Sequence, residues 1–141
     1  MRVVIQNVTE ANVKIDGEVV GQIGRGFLFL VGFTHTDNEA IVDKVVNKIV
    51  GLRVFMDENG KTNLGLSDVG GEILSVSQFT LYGSAKEGNR PAFINAMKAD
   101  EARVLYSKFN DILREKYYSK GKPAFWAKKF NNELAKNISS E

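Results

Sequence analysis

Val13-Lys14-Ile15-Asp16-Gly17-Glu18-Val19-Val20-Gly21-Gln22-Ile23-Gly24-Arg25-Gly26-Phe27-Leu28-Phe29-Leu30-Val31 is the stretch that decides the fold class. Asp16-Gly17 between two β-branched runs predicts a two-residue hairpin, because Gly17 accepts the positive φ such a turn needs. The unbroken apolar run 27–31 predicts a central strand covered on both faces. Upstream, Val3-Val4-Ile5 is a further strand of the same character. Downstream, Ile41, Val42, Val45, Val46, Ile49 and Val50 recur at helical spacing, with Thr36 or Asp37 as the cap and Gly51 as the stop. Val54-Phe55-Met56 is extended again, and Asp57-Glu58-Asn59-Gly60 is a turn. A second helix, capped by Asp100, buries Leu105, Phe109, Ile112 and Leu113. The expectation is an α+β domain. A strongly curved, mostly antiparallel sheet or barrel packs against two main helices near 38–50 and 100–117.

The chain has 141 residues, with 43% hydrophobic and 26% charged side chains, so one globular domain spanning 1–141 is expected. No repeat, low-complexity tract or linker divides it. The absence of cysteine excludes disulfides, thiolate chemistry and thiolate metal sites. No apolar run approaches the roughly 20 residues of a membrane span. The start lacks the pattern of a secretory signal, and a cytoplasmic protein is expected. Residues 1–115 carry 13 Lys/Arg against 15 Asp/Glu, whereas 116–141 carry 6 Lys against 2 Glu. A basic end on a nearly neutral body suits contact with phosphate; a solvated tail is the plainer alternative.

The stretch that bears on function is Ser75-Val76-Ser77-Gln78-Phe79-Thr80-Leu81-Tyr82-Gly83. It begins as a buried strand continuing Ile73 and Leu74. Ser77, Gln78 and Thr80 then fall where that strand ends, before the Gly83 turn. Polar groups at a strand terminus are held rigidly yet reach solvent, which suits a preorganised site. A strand whose polar residues merely face water is the competing reading.

Ser77-Gln78-Phe79-Thr80 preceded by Glu72-Ile73-Leu74-Ser75-Val76 resembles the signature of the D-aminoacyl-tRNA deacylases, also called D-tyrosyl-tRNA deacylases. Arg2 to Val8, Asp16-Gly17-Glu18 with Gly24-Arg25-Gly26, Leu52-Arg53-Val54-Phe55 with Asp57 to Asn63, and Lys86 to Phe93 are similar to that family in the same order. The resemblance runs from Met1 to about Tyr117. It implies hydrolysis of the ester of D-aminoacyl-tRNA and mischarged glycyl-tRNA, a translation quality-control step. It also implies a homodimer whose active site lies at the dimer interface, with aminoacyl-tRNA as partner. It puts the site at Ser77, Gln78 and Thr80, with Thr80 nearest the scissile bond and either nucleophile or orienting group.

Two departures accompany the resemblance. The family ends in two strands carrying Asn-X-Gly-Pro-X-Thr, whose cis Gly-Pro pair enters the partner's site and rejects L-aminoacyl esters. Here the only prolines are Pro91 and Pro123, and 118–141 is a divergent basic tail with a breaker at 119–123 and an amphipathic stretch at 124–136. Asn7 stands where the family usually has a basic residue that supports the Gly-Pro loop. The chain reads as a diverged paralogue or as one with a scrambled 3′ end, as a frameshift would leave.

The chemistry available is narrow. His35 is the only histidine and lies far in sequence from Ser77, so a Ser-His-Asp triad is not supported; a surface loop or cap-adjacent role is the plainer reading. One His and no Cys leave little for a metal, and neither metal nor other cofactor is expected. Ester cleavage needs less. The neighbouring ribose hydroxyl already activates the ester, and the backbone amides of Phe79 and Thr80 are placed to stabilise an oxyanion. Phe79 and Phe93 are substrate-binding candidates, as base-stacking or wall residues, against a core role that needs no function. An ester hydrolase is the leading reading, and a non-catalytic relative that keeps the fold and binds tRNA is its rival.

Overall fold

A computed structural model describes residues 1–118 and the short strand at 125–126. In chain order these form β1 (Arg2–Val8), β2 (Ala11–Ile15), β3 (Glu18–Ile23), β4 (Gly26–Gly32), α1 (Glu39–Gly51), β5 (Phe55–Met56), β6 (Thr62–Leu64) and β7 (Glu72–Ser77). A 3-10 turn (Phe79–Tyr82), α2 (Ala99–Leu113), a π-helical turn (Arg114–Tyr118) and β8 (Phe125–Trp126) follow. The breaker at 119–123 and most of the amphipathic stretch at 124–136 lie outside the described residues.

The main sheet has the order β1-β4-β7-β8. β4 is central. It runs antiparallel to β1, from Arg2↔Gly32 to Val8↔Gly26, and parallel to β7, from Gly26↔Glu72 to Val31↔Ser77. The α+β class holds, with a refinement. Among the described residues three of five strand pairings are antiparallel, and both parallel pairings lie in the main sheet. The chain crosses from β4 to β7 through α1 and the β5–β6 hairpin, and a connection of that length permits parallel pairing.

The hairpin forms where Asp16-Gly17 predicts it, with positive φ at both residues (51° and 82°). Phe27, Phe29 and Val31 on one pleat of β4 are fully buried against Val42 and Val46 of α1 and Tyr106, Phe109 and Leu113 of α2. Leu28 and Leu30 on the other pleat are only half-buried, so cover on that face is partial. β7 is enclosed more completely, with Ile73, Leu74 and Ser75 all at 0% exposure.

The helix starts differ from the sequence expectation. Asn38, not Thr36 or Asp37, caps α1, its side chain accepting from the Ile41 amide at 3.1 Å. Asp37 is engaged elsewhere: its carboxylate holds the Met1 ammonium at 2.7 Å and accepts the Thr34 amide at 2.7 Å. α2 begins at Ala99, so Asp100 sits inside the first turn, where its charge still opposes the positive end of the helix dipole. In the β5–β6 hairpin, Asp57 accepts the Lys61 and Asn59 amides and the Asn63 side chain, and these bonds, the Lys61 amide foremost, hold its carboxyl below the usual range.

At Gly26 the backbone of β4 lies close against that of β7. A Cβ there would lie 1.9 Å from the Glu72 carbonyl oxygen and 2.6 Å from its nitrogen. Backbone cannot yield as a flexible side chain does. Gly26→Ala is therefore expected to cost about 3 kcal/mol or more of folding stability, measured as a fall in the urea midpoint.

Candidate active site

Ser77 is the last residue of β7 and pairs with Val31. Gln78 stays extended (φ −145°, ψ 93°), and its amide donates to the Val31 carbonyl at 2.7 Å, lengthening the ladder by one bond. The chain then closes into the 3-10 turn, with Gly83 N–H donating to the Thr80 carbonyl at 2.9 Å. Phe79 and Thr80 open that turn, so their amide N–H groups have no carbonyl one turn back to bond. The Gln78 side-chain amide donates to the Thr80 hydroxyl oxygen. Thr80 is exposed and Gln78 half-buried. Rigid sheet thus passes directly into an accessible turn.

The walls come from distant parts of the chain. The Phe79 ring meets Phe93 edge-to-face at 5.2 Å. These rings are 42% and 39% exposed, so the core reading of this pair does not hold. Phe93 follows a loop closed by reciprocal Ser84–Ala92 backbone bonds of 2.8 and 2.7 Å, with Lys86 and Arg90 exposed inside it. Arg2 on β1 donates to the Leu81 carbonyl at 2.6 Å, and its guanidinium carbon sits 4.5 Å from the centre of the Tyr82 ring. Burial raises the Tyr82 phenol above its ordinary pKa, with the Asp37 carboxylate adding to the effect.

Of the predicted site residues, the turn gathers Gln78, Phe79 and Thr80, and Phe93 joins them from beyond the Ser84–Ala92 loop. Ser77 is half-buried and belongs to the opposite pleat from Gln78, the pleat of Ser75. His35 is engaged away from the turn, its Nε2 bonding the Ile94 carbonyl at 2.6 Å. Asn7 donates to the Val54 carbonyl at 2.8 Å, a bond between β1 and the entry to β5. Among the described residues no three His, Cys, Asp or Glu side chains are grouped to hold a metal ion, and no helix is long and apolar enough to cross a membrane.

Sequence reasoning missed Arg2 and Tyr106. Both act across long separations, and no local pattern marks either one. Tyr106 is fully buried behind β7, its hydroxyl 2.9 Å from the Ser75 hydroxyl. Burial pushes its pKa up to about 12.

Because the folded pKa lies above the unfolded value, the stability Tyr106 contributes is complete below about pH 10 and is lost as pH rises toward 12. Tyr106→Phe leaves the buried Ser75 hydroxyl without this partner. The expected cost is about 1–2 kcal/mol at pH 7, together with a shallower loss of stability above pH 10. Urea melts across pH 7–11 check both. Tyr82 and Tyr117, also raised by burial, keep the remaining slope from vanishing.

The family described as D-Tyr-tRNA(Tyr) deacylase matches residues 4–137. The chain is 58% identical over 116 residues to the D-aminoacyl-tRNA deacylase of Bacillus velezensis, spanning 82% of this chain and 79% of that one. It is 59% identical over 102 residues to a Bacillus subtilis protein named inactive D-aminoacyl-tRNA deacylase, spanning 72% and 77%. A solved structure of c-Myc DNA unwinding element binding protein superposes with a TM-score of 0.78 at 42% identity, covering 83% of this chain and 78% of that one. The chain belongs to the D-Tyr-tRNA(Tyr) deacylase family. The family match continues past Tyr117, where the motif resemblance ends.

Proposed function

We propose that this protein hydrolyses the ester linking a D-amino acid, or mischarged glycine, to tRNA, acting in the cytoplasm as a homodimer in translation quality control. The observation that carries the reading is the exposed end of β7: a turn whose first amides, Phe79 and Thr80, have no carbonyl one turn back, beside a hydroxyl held by Gln78. The amides supply the oxyanion hole, each well-aimed donor contributing about 3 kcal/mol to the transition state. Gln78 donates to the Thr80 oxygen, and an amide nitrogen takes no proton. Among the described residues the Thr80 hydroxyl therefore has no base, and it serves as the orienting group for ester or water rather than as nucleophile. Phe79 and Phe93 offer faces on which the terminal base of the tRNA stacks. Ser77 supports the strand end from the opposite pleat.

A specific observation favours a second reading, a weakly active or non-catalytic relative that keeps the fold and binds tRNA. The Bacillus subtilis relative is named inactive at 59% identity. This chain also lacks an Asn-X-Gly-Pro-X-Thr segment, and Asn7 is committed to the Val54 carbonyl.

Purified protein incubated with D-tyrosyl-tRNA and L-tyrosyl-tRNA separates the two readings. Specificity gained by excluding a wrong substrate disappears with the excluding element. The expected result is slow hydrolysis with little preference between the two esters. Strong hydrolysis of the D-ester with full sparing of the L-ester would mean that another segment forms the gate. No hydrolysis with tRNA binding retained would establish the second reading. Where activity is measurable, Thr80→Ala is expected to lower it roughly 100-fold and Gln78→Ala by a smaller factor. Light scattering is expected to give twice the 15.7 kDa chain mass; the single-chain mass at micromolar concentration would refute the dimer.

A further inference from the structure

We infer that Thr34 and His35 are positioning residues for the aromatic wall of the site, pinning the strap 93–97 so that Phe93 stands against Phe79. This rests on the reading above, in which that wall receives the terminal base of a tRNA.

The strap has little apolar anchorage of its own. Ile94 is 80% exposed and Phe93 39%, while Met97 at its far end is buried. What holds the strap is a run of polar bonds to the segment after β4. The Met97 amide donates to the Phe33 carbonyl at 3.0 Å, and Thr34 and Ala96 form an isolated antiparallel bridge. The Thr34 hydroxyl donates to the Asn95 carbonyl, and His35 Nε2 meets the Ile94 carbonyl at 2.6 Å. Thr34 is itself fixed by its amide bond to Asp37. Before Phe93, the Ser84–Ala92 pair closes the loop; after it, the Ala96 amide bonds the Phe93 carbonyl at 3.0 Å. Phe93 is therefore clamped on both sides.

The chemistry at His35 defines the test. A carbonyl oxygen only accepts, so Nε2 carries the proton in neutral imidazole and keeps it when the ring is charged. The latch needs a donor and does not need a charge. Glutamine supplies such a donor at similar reach, and leucine supplies none. At Thr34, serine keeps the hydroxyl and valine keeps only the shape.

The experiment uses adenosine monophosphate as probe and four variants of the full chain: His35→Leu, His35→Gln, Thr34→Val and Thr34→Ser. NMR reads the Phe79–Phe93 ring contact, and calorimetry reads the Kd. Expected is a weakened ring contact with about a five- to tenfold rise in Kd for His35→Leu and Thr34→Val, both restored in His35→Gln and Thr34→Ser. An unchanged ring contact in both donor-less variants overturns the latch, as does failure of the glutamine and serine variants to restore it. If the rings part as expected but the intact chain binds no adenosine monophosphate, the latch stands and the base-binding role of the wall falls.

Discussion

The parallel ladder between β4 and β7 is the constraint on which the rest of this structure depends. It joins strands separated by α1 and a hairpin, and it tolerates only glycine at position 26, where backbone meets backbone. One pleat of β4 puts Phe27, Phe29 and Val31 against both helices, while β7 is buried on both of its faces. Non-local pairing of this kind is favourable only after the intervening chain has been ordered. The core that α1 and α2 build against β4 supplies that order.

The site inherits its rigidity from this ladder. Gln78 adds one last bond to β4 before the chain turns, so the accessible residues start from a fixed point. Two further supports reach the same place. Tyr106 holds Ser75 from the helix layer, and Arg2 holds the Leu81 carbonyl from β1. Orientation matters in proportion to how little chemistry the side chains perform. Among the described residues no base bonds Thr80, and the ester brings its own activating hydroxyl, so catalysis would rest on fixed dipoles. A turn at the end of a buried strand is well suited to hold them.

Activity and chiral discrimination are separable in such a design. Amides at a strand end stabilise an oxyanion whatever the configuration of the neighbouring carbon, whereas discrimination needs an element that excludes one configuration. The fold of the described residues is that of the family, and the 3-10 turn after β7 is formed. The chain has no Asn-X-Gly-Pro-X-Thr segment, and Asn7 is bonded to the Val54 carbonyl at the entry to β5. Relatives named as a deacylase and as an inactive deacylase are similar to this chain at 58% and 59% identity.

Local chemistry by itself determined the Asp16-Gly17 turn, the strand at 27–31, the apolar faces of both helices and the polar strand end at 77–80. Each is written in residues close in sequence: a dipeptide needing positive φ, a continuous apolar run, a 3.6-residue period, a break from apolar to polar. The helix caps were less legible, because Asp37 and Asn38 are both competent and only the contacts with Met1 and Thr34 commit Asp37 elsewhere. The tertiary structure alone decided that β4 and β7 run parallel, that Ser77 and Gln78 face opposite ways, and that Phe79 and Phe93 stand together at the surface. It also made a solitary histidine part of a strap. Most of these outcomes depend on groups that are distant in the chain, as at Ser75 and Tyr106 or Arg2 and Leu81. Short-range patterns specify which elements form, but long-range contacts are settled by how those elements bury a shared core.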